Sequence, residues 1–275
     1  MDTQTRKTVE EHARTIRHDV IRMIGSSGKV GHLGGSCSCA EIIATLYFYK
    51  MKHDVKNPAL ESRDRFVMSK GHSVLAQYSA LAQAGYFSKD EFSHVKEYGS
   101  MLQGHPDRNK TPGIEANTGS LGQGLSVGLG MALGLRGGDS TVYVLVGDGE
   151  LAEGQIWEAI MAANHYKTGN LVMILDCNGI QATGEIKDVL DTGDKAAKFE
   201  AFGWRVLNVD GHNVQALADA LDSVDVHSSQ PTAIIANTVK GKFVSFAEGK
   251  AQFHNAGLTA EQFEIAHKDI EAYQY

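Results

Sequence analysis

Two residues able to offer oxygen to a cation stand at the ends of two apolar runs. Val142-Tyr143-Val144-Leu145-Val146 leads directly into Gly147-Asp148-Gly149, and Leu171-Val172-Met173-Ile174-Leu175 leads into Asp176-Cys177-Asn178-Gly179-Ile180. The residues between, 153–166, read as helix, so the segment is a strand–helix–strand crossover. Parallel strands joined this way bring their carboxyl ends side by side, at the sheet edge where α/β proteins bind ligands. A carboxylate, a side-chain amide and a main-chain carbonyl form a hard oxygen set. Such a set suits Mg²⁺, with Ca²⁺ or Mn²⁺ as substitutes, and leaves coordination places for phosphate oxygens and water. The glycines flanking Asp148 permit a bulky anion to approach the backbone.

Four histidines form a second group. His32, His72, His105 and His254 each adjoin a glycine or asparagine in a predicted loop at an element end. Strand-end loops of one α/β domain converge on one crevice. An imidazole donates or accepts near neutral pH, which suits sugar hydroxyls and proton transfer. A zinc site is the competing use, but the four are far apart in sequence and no His-x₃-His pair falls within a helix.

The elements that must position these groups follow from periodicity and punctuation. Residues 3–24 read as an amphipathic helix, 25–35 as a glycine loop, 39–49 as a second helix and 64–69 as a short strand ending at Lys70-Gly71-His72. Helix is expected over 73–84 and 124–135, separated by a long loop over 99–124. Later strands fall at 204–209 and 232–239, with a helix near 213–222. The order implies a single α/β domain over residues 1–275, a parallel sheet with helices on both faces. Gly122-Gln123-Gly124 follows a polar loop rather than a strand, and no acidic residue lies at the required distance, so a nicotinamide-binding loop is not supported. The length of 275 residues and 42% hydrophobic content suffice for a substantial core, and the formal charge of -7 argues against nucleic acid as a partner. The N-terminal stretch is polar and mixed in charge, and no apolar run approaches the ~18 residues of a membrane span. With three cysteines in no metal spacing, the expectation is a cytoplasmic protein with reduced thiols.

These motifs carry a resemblance. Gly-Asp-Gly with a distant Asn-Gly is similar to the thiamine-diphosphate signature, in which an Asp and an Asn grip Mg²⁺ and the diphosphate. The chain as a whole, from residue 13 to about 258, resembles the N-terminal, diphosphate-binding half of transketolase. The similarity runs through Gly31-His32-Leu33-Gly34-Gly35, Asp64 to His72, Gln103-Gly104-His105-Pro106, Thr118-Gly119-Ser120-Leu121-Gly122-Gln123-Gly124, Gly147 to Gly154, Asn178-Gly179-Ile180 and Phe253-His254-Asn255. The resemblance implies that Asp148, Asn178 and the Ile180 carbonyl bind the metal. It places His72, Gly119, Leu121, Gly149 and Glu153 against thiamine diphosphate. It turns His32, His105 and His254 toward a reacting ketose, with His254 also near the diphosphate. Glu153 and Glu158 match acidic residues near the family's subunit interface, although composition alone makes them a solvated helix face.

Three positions depart from the family pattern. Leu33 stands where Pro is usual, Cys177 where an Asn often precedes the metal-binding Asn, and Asn255 where Gly is usual. Members of the family are roughly twice this long, and their second half supplies a Glu that hydrogen-bonds the cofactor's aminopyrimidine ring. The resemblance therefore implies the N-terminal subunit of a split transketolase. Its pyrimidine-binding and C-terminal domains would reside on a separate chain, in a heterotetramer with two copies of each. The implied activity is transfer of a two-carbon ketol unit from a ketose donor to an aldose acceptor. Sugar phosphates, a branched sugar phosphate and a sulfosugar all remain open as substrates. Other readings of the same residues are a deoxyxylulose-phosphate synthase-like or ketoacid dehydrogenase-like subunit, or a non-catalytic cofactor-binding partner. The histidine pattern disfavours the dehydrogenase and the chain length the synthase.

Overall fold

The computed structural model describes residues 1–275, with the side chains of Ser26 and Ser27 outside the description. Five strands, β1 (Arg65–Met68), β2 (Val142–Gly147), β3 (Leu171–Cys177), β4 (Arg205–Asp210) and β5 (Thr232–Asn237), form one sheet in the order β1-β2-β3-β5-β4. Every pairing is parallel. The central strands are buried on both faces, so they read as continuous apolar runs. Their alternation still sorts the two layers. Val142, Val144, Val146, Leu171, Met173, Leu175, Ala233 and Ile235 pack into one core, and Tyr143, Leu145, Val172, Ile174, Ile234 and Ala236 into the other.

Helix α1 (Thr3–Ser27) lies in the larger layer with α2 (Leu33–Ser38), α3 (Ala40–Thr45) and α4 (Val74–Ala84). On the opposite face α5 (Gln123–Gly134) and α6 (Gly154–His165) cover β2 and β3. The remaining helices are α7 (Ile186–Val189), α8 (Lys195–Ala201), α9 (Val214–Asp222) and α10 (Ala260–Ala272). Local chemistry marks their ends. Asp2 caps α1 by accepting from the Thr5 N–H, and the helix stops at Gly28, whose φ of 62° is left-handed. Thr259 and Gln262 form a reciprocal capping box on α10.

One expected element is corrected. Residues 25–35 are not a single glycine loop: α1 runs through Ser27 and α2 begins at Leu33, leaving only residues 28–32 between them. Gly34 and Gly35 are helical, and their role is close approach rather than turning. A Cβ on Gly34 would lie 2.9 Å from Lys240 Cγ, and one on Gly35 would lie 2.6 Å from Ser73 Oγ. The expected helix over 39–49 is α3 continued by a wider π-turn over Leu46–Lys50, and the strand expected over 232–239 ends at Asn237. The three cysteines are free thiols, and no described helix is long and apolar enough to cross a membrane.

Candidate active site

Adjacent strands β2 and β3 run in register with Gly147 opposite Asp176, so the residues following each strand emerge together. Both oxygens of the Asp148 carboxylate are aimed by backbone donors. Oδ1 accepts from Gly149 N at 2.9 Å and Oδ2 from Gly179 N at 2.5 Å. Burial pushes this carboxyl up to about 6, against the Gly179 hydrogen bond, and the nearby Asp176 carboxylate adds to the rise. A buried carboxylate in this condition favours a cation beside it.

Asp176 itself is fully buried and is the hub of the floor. Its Oδ2 accepts from Ser38 Oγ at 2.6 Å, from Asn178 Nδ2 at 3.1 Å and from the Lys70 ammonium, while Oδ1 accepts from Thr238 Oγ1. Burial works against this charge, but the Lys70 ammonium, followed by the Ser38 and Thr238 hydroxyls, holds its carboxyl below the usual carboxylate range. One consequence reaches the candidate metal site. The Asn178 NH₂ donates to Asp176 and its Oδ1 accepts from Ile180 N at 3.2 Å, which leaves the second lone pair of that oxygen for a cation. Glu150, equally buried, ties three segments together: it accepts from Ser69 Oγ at 2.5 Å, Gly122 N at 2.9 Å and Gly147 N at 3.1 Å.

These residues open onto a cavity of about 290 Å³ whose lining includes Asp148, Gly149, Asn178, Ile180, Leu121, Glu153, His72, His254 and Lys240. Glycines shape it. A Cβ on Gly149 would meet Gln181 Cβ at 3.0 Å, one on Gly122 would meet Glu153 Cβ at 2.8 Å, and one on Gly119 would strike the His105 ring at 2.5 Å. Gly119 and Gly122 also take left-handed φ values of 137° and 85°, which disfavour any side chain. Among the described residues no group of three or more His, Cys, Asp and Glu side chains is placed to hold a metal. The available set is Asp148, Asn178 Oδ1 and the Ile180 carbonyl, whose oxygen has a second lone pair beyond the one used by Lys240.

The four expected histidines come together. His32 lies 5.1 Å from His72, 5.9 Å from His105 and 5.3 Å from His254 between ring centroids, and His72 lies 4.9 Å from His254. His72 and His254 line the cavity, His32 sits beyond them, and His105 is the exposed outer member. Burial, followed by the neighbouring cations and rings, lowers His32 to about 3 and His254 to about 4, and drives His72 further down. His105 is lowered too, by burial and Lys96. The cluster is therefore neutral at pH 7, with a donor and an acceptor on each ring.

The three departures have plain local outcomes. Leu33 is fully buried and its N–H donates to Gly31 O at 3.0 Å, a bond proline lacks. Cys177 ends β3 half-buried, and Asn255 is exposed. Glu153 borders the cavity as the N-cap position of α6, while Glu158 lies on the exposed side of that helix.

Lys240 is the residue missed by sequence reasoning. It is buried, donates to Ile180 O at 3.0 Å and meets His254 Nδ1 at 3.1 Å. Burial and the Lys70 ammonium lower it to about 8. The signal was present: Lys240 follows β5 as Asn178 follows β3, so the same edge rule reaches it.

The sequence profile described as "Transketolase, thiamine diphosphate binding domain" matches residues 6–272. Among curated relatives, one subunit of an apulose-4-phosphate transketolase from Phocaeicola vulgatus is 41% identical over 266 residues, covering 96% of this chain and 94% of that protein. A 6-deoxy-6-sulfo-D-fructose transketolase subunit from a Clostridium species is 41% identical over 265 residues, covering 96% of each. Among solved structures, transketolase from Leishmania mexicana superposes with a TM-score of 0.89 at 32% identity, covering 96% of this chain and 41% of the longer one.

Proposed function

The chain belongs to the transketolase family, through its thiamine diphosphate binding domain, and from that premise we propose how it works. It is the diphosphate-binding subunit of a two-chain transketolase that moves a two-carbon ketol unit from a ketose to an aldose. The observation that carries this reading is the meeting of four neutral histidines at the mouth of a glycine-lined cavity whose floor offers Asp148, Asn178 and Ile180 oxygens.

The residues present fit thiamine diphosphate with a divalent ion. Asp148, Asn178 Oδ1 and the Ile180 carbonyl would hold Mg²⁺, with the diphosphate completing its oxygen shell. Lys240, His72, His254 and the backbone beside Gly149 and Gly119 would hold the diphosphate, and Leu121 and Glu153 would border the cofactor. When bound, thiamine diphosphate supplies the carbon nucleophile and the electron sink for carbon–carbon cleavage. The protein supplies orientation and proton movement. His32, His105 and His254, being neutral, accept a proton from one sugar hydroxyl and donate to another oxygen without first titrating.

A partner chain carrying the pyrimidine-binding domain completes the site in this reading. Its support is that the similar Phocaeicola and Clostridium proteins are each named as one subunit of a transketolase. Domain organisation follows: one diphosphate-binding domain here, the others on the partner. Those two similar proteins are named for apulose 4-phosphate and 6-deoxy-6-sulfo-D-fructose, both ketoses with a terminal anion. We propose an anion-terminated ketose as donor here as well.

The test is reconstitution. The purified chain with thiamine diphosphate and Mg²⁺ is expected to show no ketol transfer alone, and to gain it near equal stoichiometry with the partner chain. Phosphorylated and sulfonated ketoses are then compared as donors. Full turnover by this chain alone overturns the two-chain reading.

A further inference from the structure

Outside the cavity, a buried ionic group leads back to it through one histidine. Arg17 and Glu41 are both fully buried and paired in a fork, Nη1 to Oε1 at 2.6 Å and Nη2 to Oε2 at 2.7 Å. Tyr275 adds its hydroxyl to Glu41 Oε1 at 3.0 Å, and the Phe243 ring lies against the Arg17 guanidinium, 4.3 Å from its centroid. The second oxygen, Oε2, also meets His212 Nδ1 at 2.9 Å. On the other side of that ring, Val239 N donates to His212 Nε2 at 2.9 Å.

The two contacts assign the tautomer. A backbone N–H can only donate, so Nε2 must be the bare acceptor. Nδ1 then keeps the proton and donates a hydrogen bond to the Glu41 carboxylate. The acceptor is delivered one residue before Lys240. The flanking backbone is held as well: Thr238 N donates to Cys177 O at 3.2 Å, Gly241 N to Gly34 O at 2.9 Å, and Gly249 N to Lys240 O at 2.9 Å. Val239 O also accepts from Lys242 N at 3.2 Å, and His212 adds the side-chain anchor on Val239 N to the segment that carries the Lys240 ammonium into the cavity.

We propose that His212 is a positioning residue for the diphosphate subsite: by accepting the Val239 N–H it fixes the backbone that aims Lys240 at the ligand. Glu41 and Arg17 hold the ring in the accepting tautomer. The inference rests on the reading of Lys240 as a diphosphate contact. A part-buried hydrogen bond of this kind is worth about a fivefold change in affinity.

Two amide substitutions separate this role from a merely structural one. A glutamine at 212 reaches the place of Nε2 and can still accept from Val239. An asparagine stops at the place of Nδ1, keeps a donor for Glu41 and loses the acceptor. Thiamine diphosphate binding in the presence of MgCl₂ is measured by calorimetry on the chain reconstituted with its partner for wild type, His212→Gln, His212→Asn, Lys240→Met and the double variant His212→Asn/Lys240→Met. The expected result is near-native affinity for His212→Gln, about fivefold weaker binding for His212→Asn, and no further loss when His212→Asn is added to Lys240→Met. The reverse order, with asparagine tolerated and glutamine not, overturns the proposal by showing that only the Glu41 contact counts. Additive losses in the double variant overturn it too, since His212 would then act by another route. If Lys240→Met binds like wild type, the Lys240 assignment falls and the inference with it, while binding by the wild-type chain leaves the cofactor reading standing.

Discussion

The backbone N–H of Gly179 lies 2.5 Å from Oδ2 of Asp148, joining the turn after β3 to the turn after β2. The contact makes the carboxylate's direction a property of two strand ends rather than of one flexible side chain. Asp148→Ala removes both the charge and this tie. It is expected to abolish Mg²⁺-dependent thiamine diphosphate binding in calorimetry with and without the metal. Asn178→Asp places a second negative charge beside the diphosphate and also loses the NH₂ committed to Asp176, so it is expected to weaken binding. A variant of Asp148 that binds cofactor–Mg²⁺ like wild type would exclude it as a ligand.

The histidines divide by depth. His32→Ala and His105→Ala, altering rings outside the cavity lining, are expected to lower turnover or raise the donor KM, with cofactor affinity unchanged. Acid–base assistance is worth ~10²–10⁴-fold in rate. His72→Ala and His254→Ala change the cavity wall itself and are expected to weaken the cofactor as well. Steady-state kinetics of the reconstituted enzyme, with cofactor titrations alongside, distinguish the two classes.

Neutrality of the cluster is directly observable. With His32 lowered to about 3 and His254 to about 4 by burial and neighbouring positive charge, both rings should remain unprotonated at pH 6. An exposed ring would be largely protonated there. Nitrogen-15 NMR of the histidine-labelled chain, titrated from pH 8 to pH 5, reads this. A ring of either residue titrating near 6.5 would contradict the assignment.

Acid stability follows from Glu41. Burial raises its pKa, but the Arg17 charge and the His212 and Arg17 hydrogen bonds outweigh burial and bring it to about 2, below the ordinary 4.5. A depressed carboxyl contributes stability that is present above its unfolded pKa and lost as pH falls through the folded one. This contribution therefore disappears between about pH 4.5 and pH 2. The histidines act earlier and in the same sense, because their lowered pKa values make the unfolded chain the better proton acceptor below about 6.5. Urea unfolding across pH 7 to 3 is expected to show a two-part decline, with Glu41→Gln flattening only the lower part.

Glycine in α5 is structural. A Cβ at Gly124 would lie 2.4 Å from Ser69 Oγ and 2.7 Å from the Ser69 Cα, and backbone cannot swing aside. Gly124→Ala is expected to destabilise the chain by ~1–3 kcal/mol, measured by denaturant unfolding. By contrast, a Cβ at Gly130 has nothing within 4 Å, so Gly130→Ala is expected to be neutral or mildly stabilising.

What was legible in the sequence is what neighbouring residues decide. The β2–α6–β3 unit announced itself because strand, turn and ligand residues are consecutive, and the parallel-edge rule then placed Asp148 beside Asn178. Glycines misled where their purpose is distant. Nothing near Gly34 and Gly35 reveals that Lys240 and Ser73 press on them, so a helix read as a loop. The same limit hid the Lys70–Asp176 pair and the link from Arg17 through Glu41 to His212. Each joins segments far apart in the chain, and charge patterning alone cannot distinguish such a lysine from a solvated one. Helix α10, with its capping box at Thr259 and Gln262, carried a local signal that went unread.

The strand order has a kinetic consequence. No strand pairs with an antiparallel neighbour, so the sheet contains no hairpin to nucleate it, and Arg65 must wait for Val142 while Val172 must wait for Thr232. Long crossovers of this kind make folding slow relative to chains rich in local contacts. The Asp176 hub draws on Ser38, Lys70 and Thr238, so it closes only after β5 has been synthesised and docked. The floor of the cavity is therefore completed by the last strand to be made, when Thr238 adds its hydroxyl to Asp176.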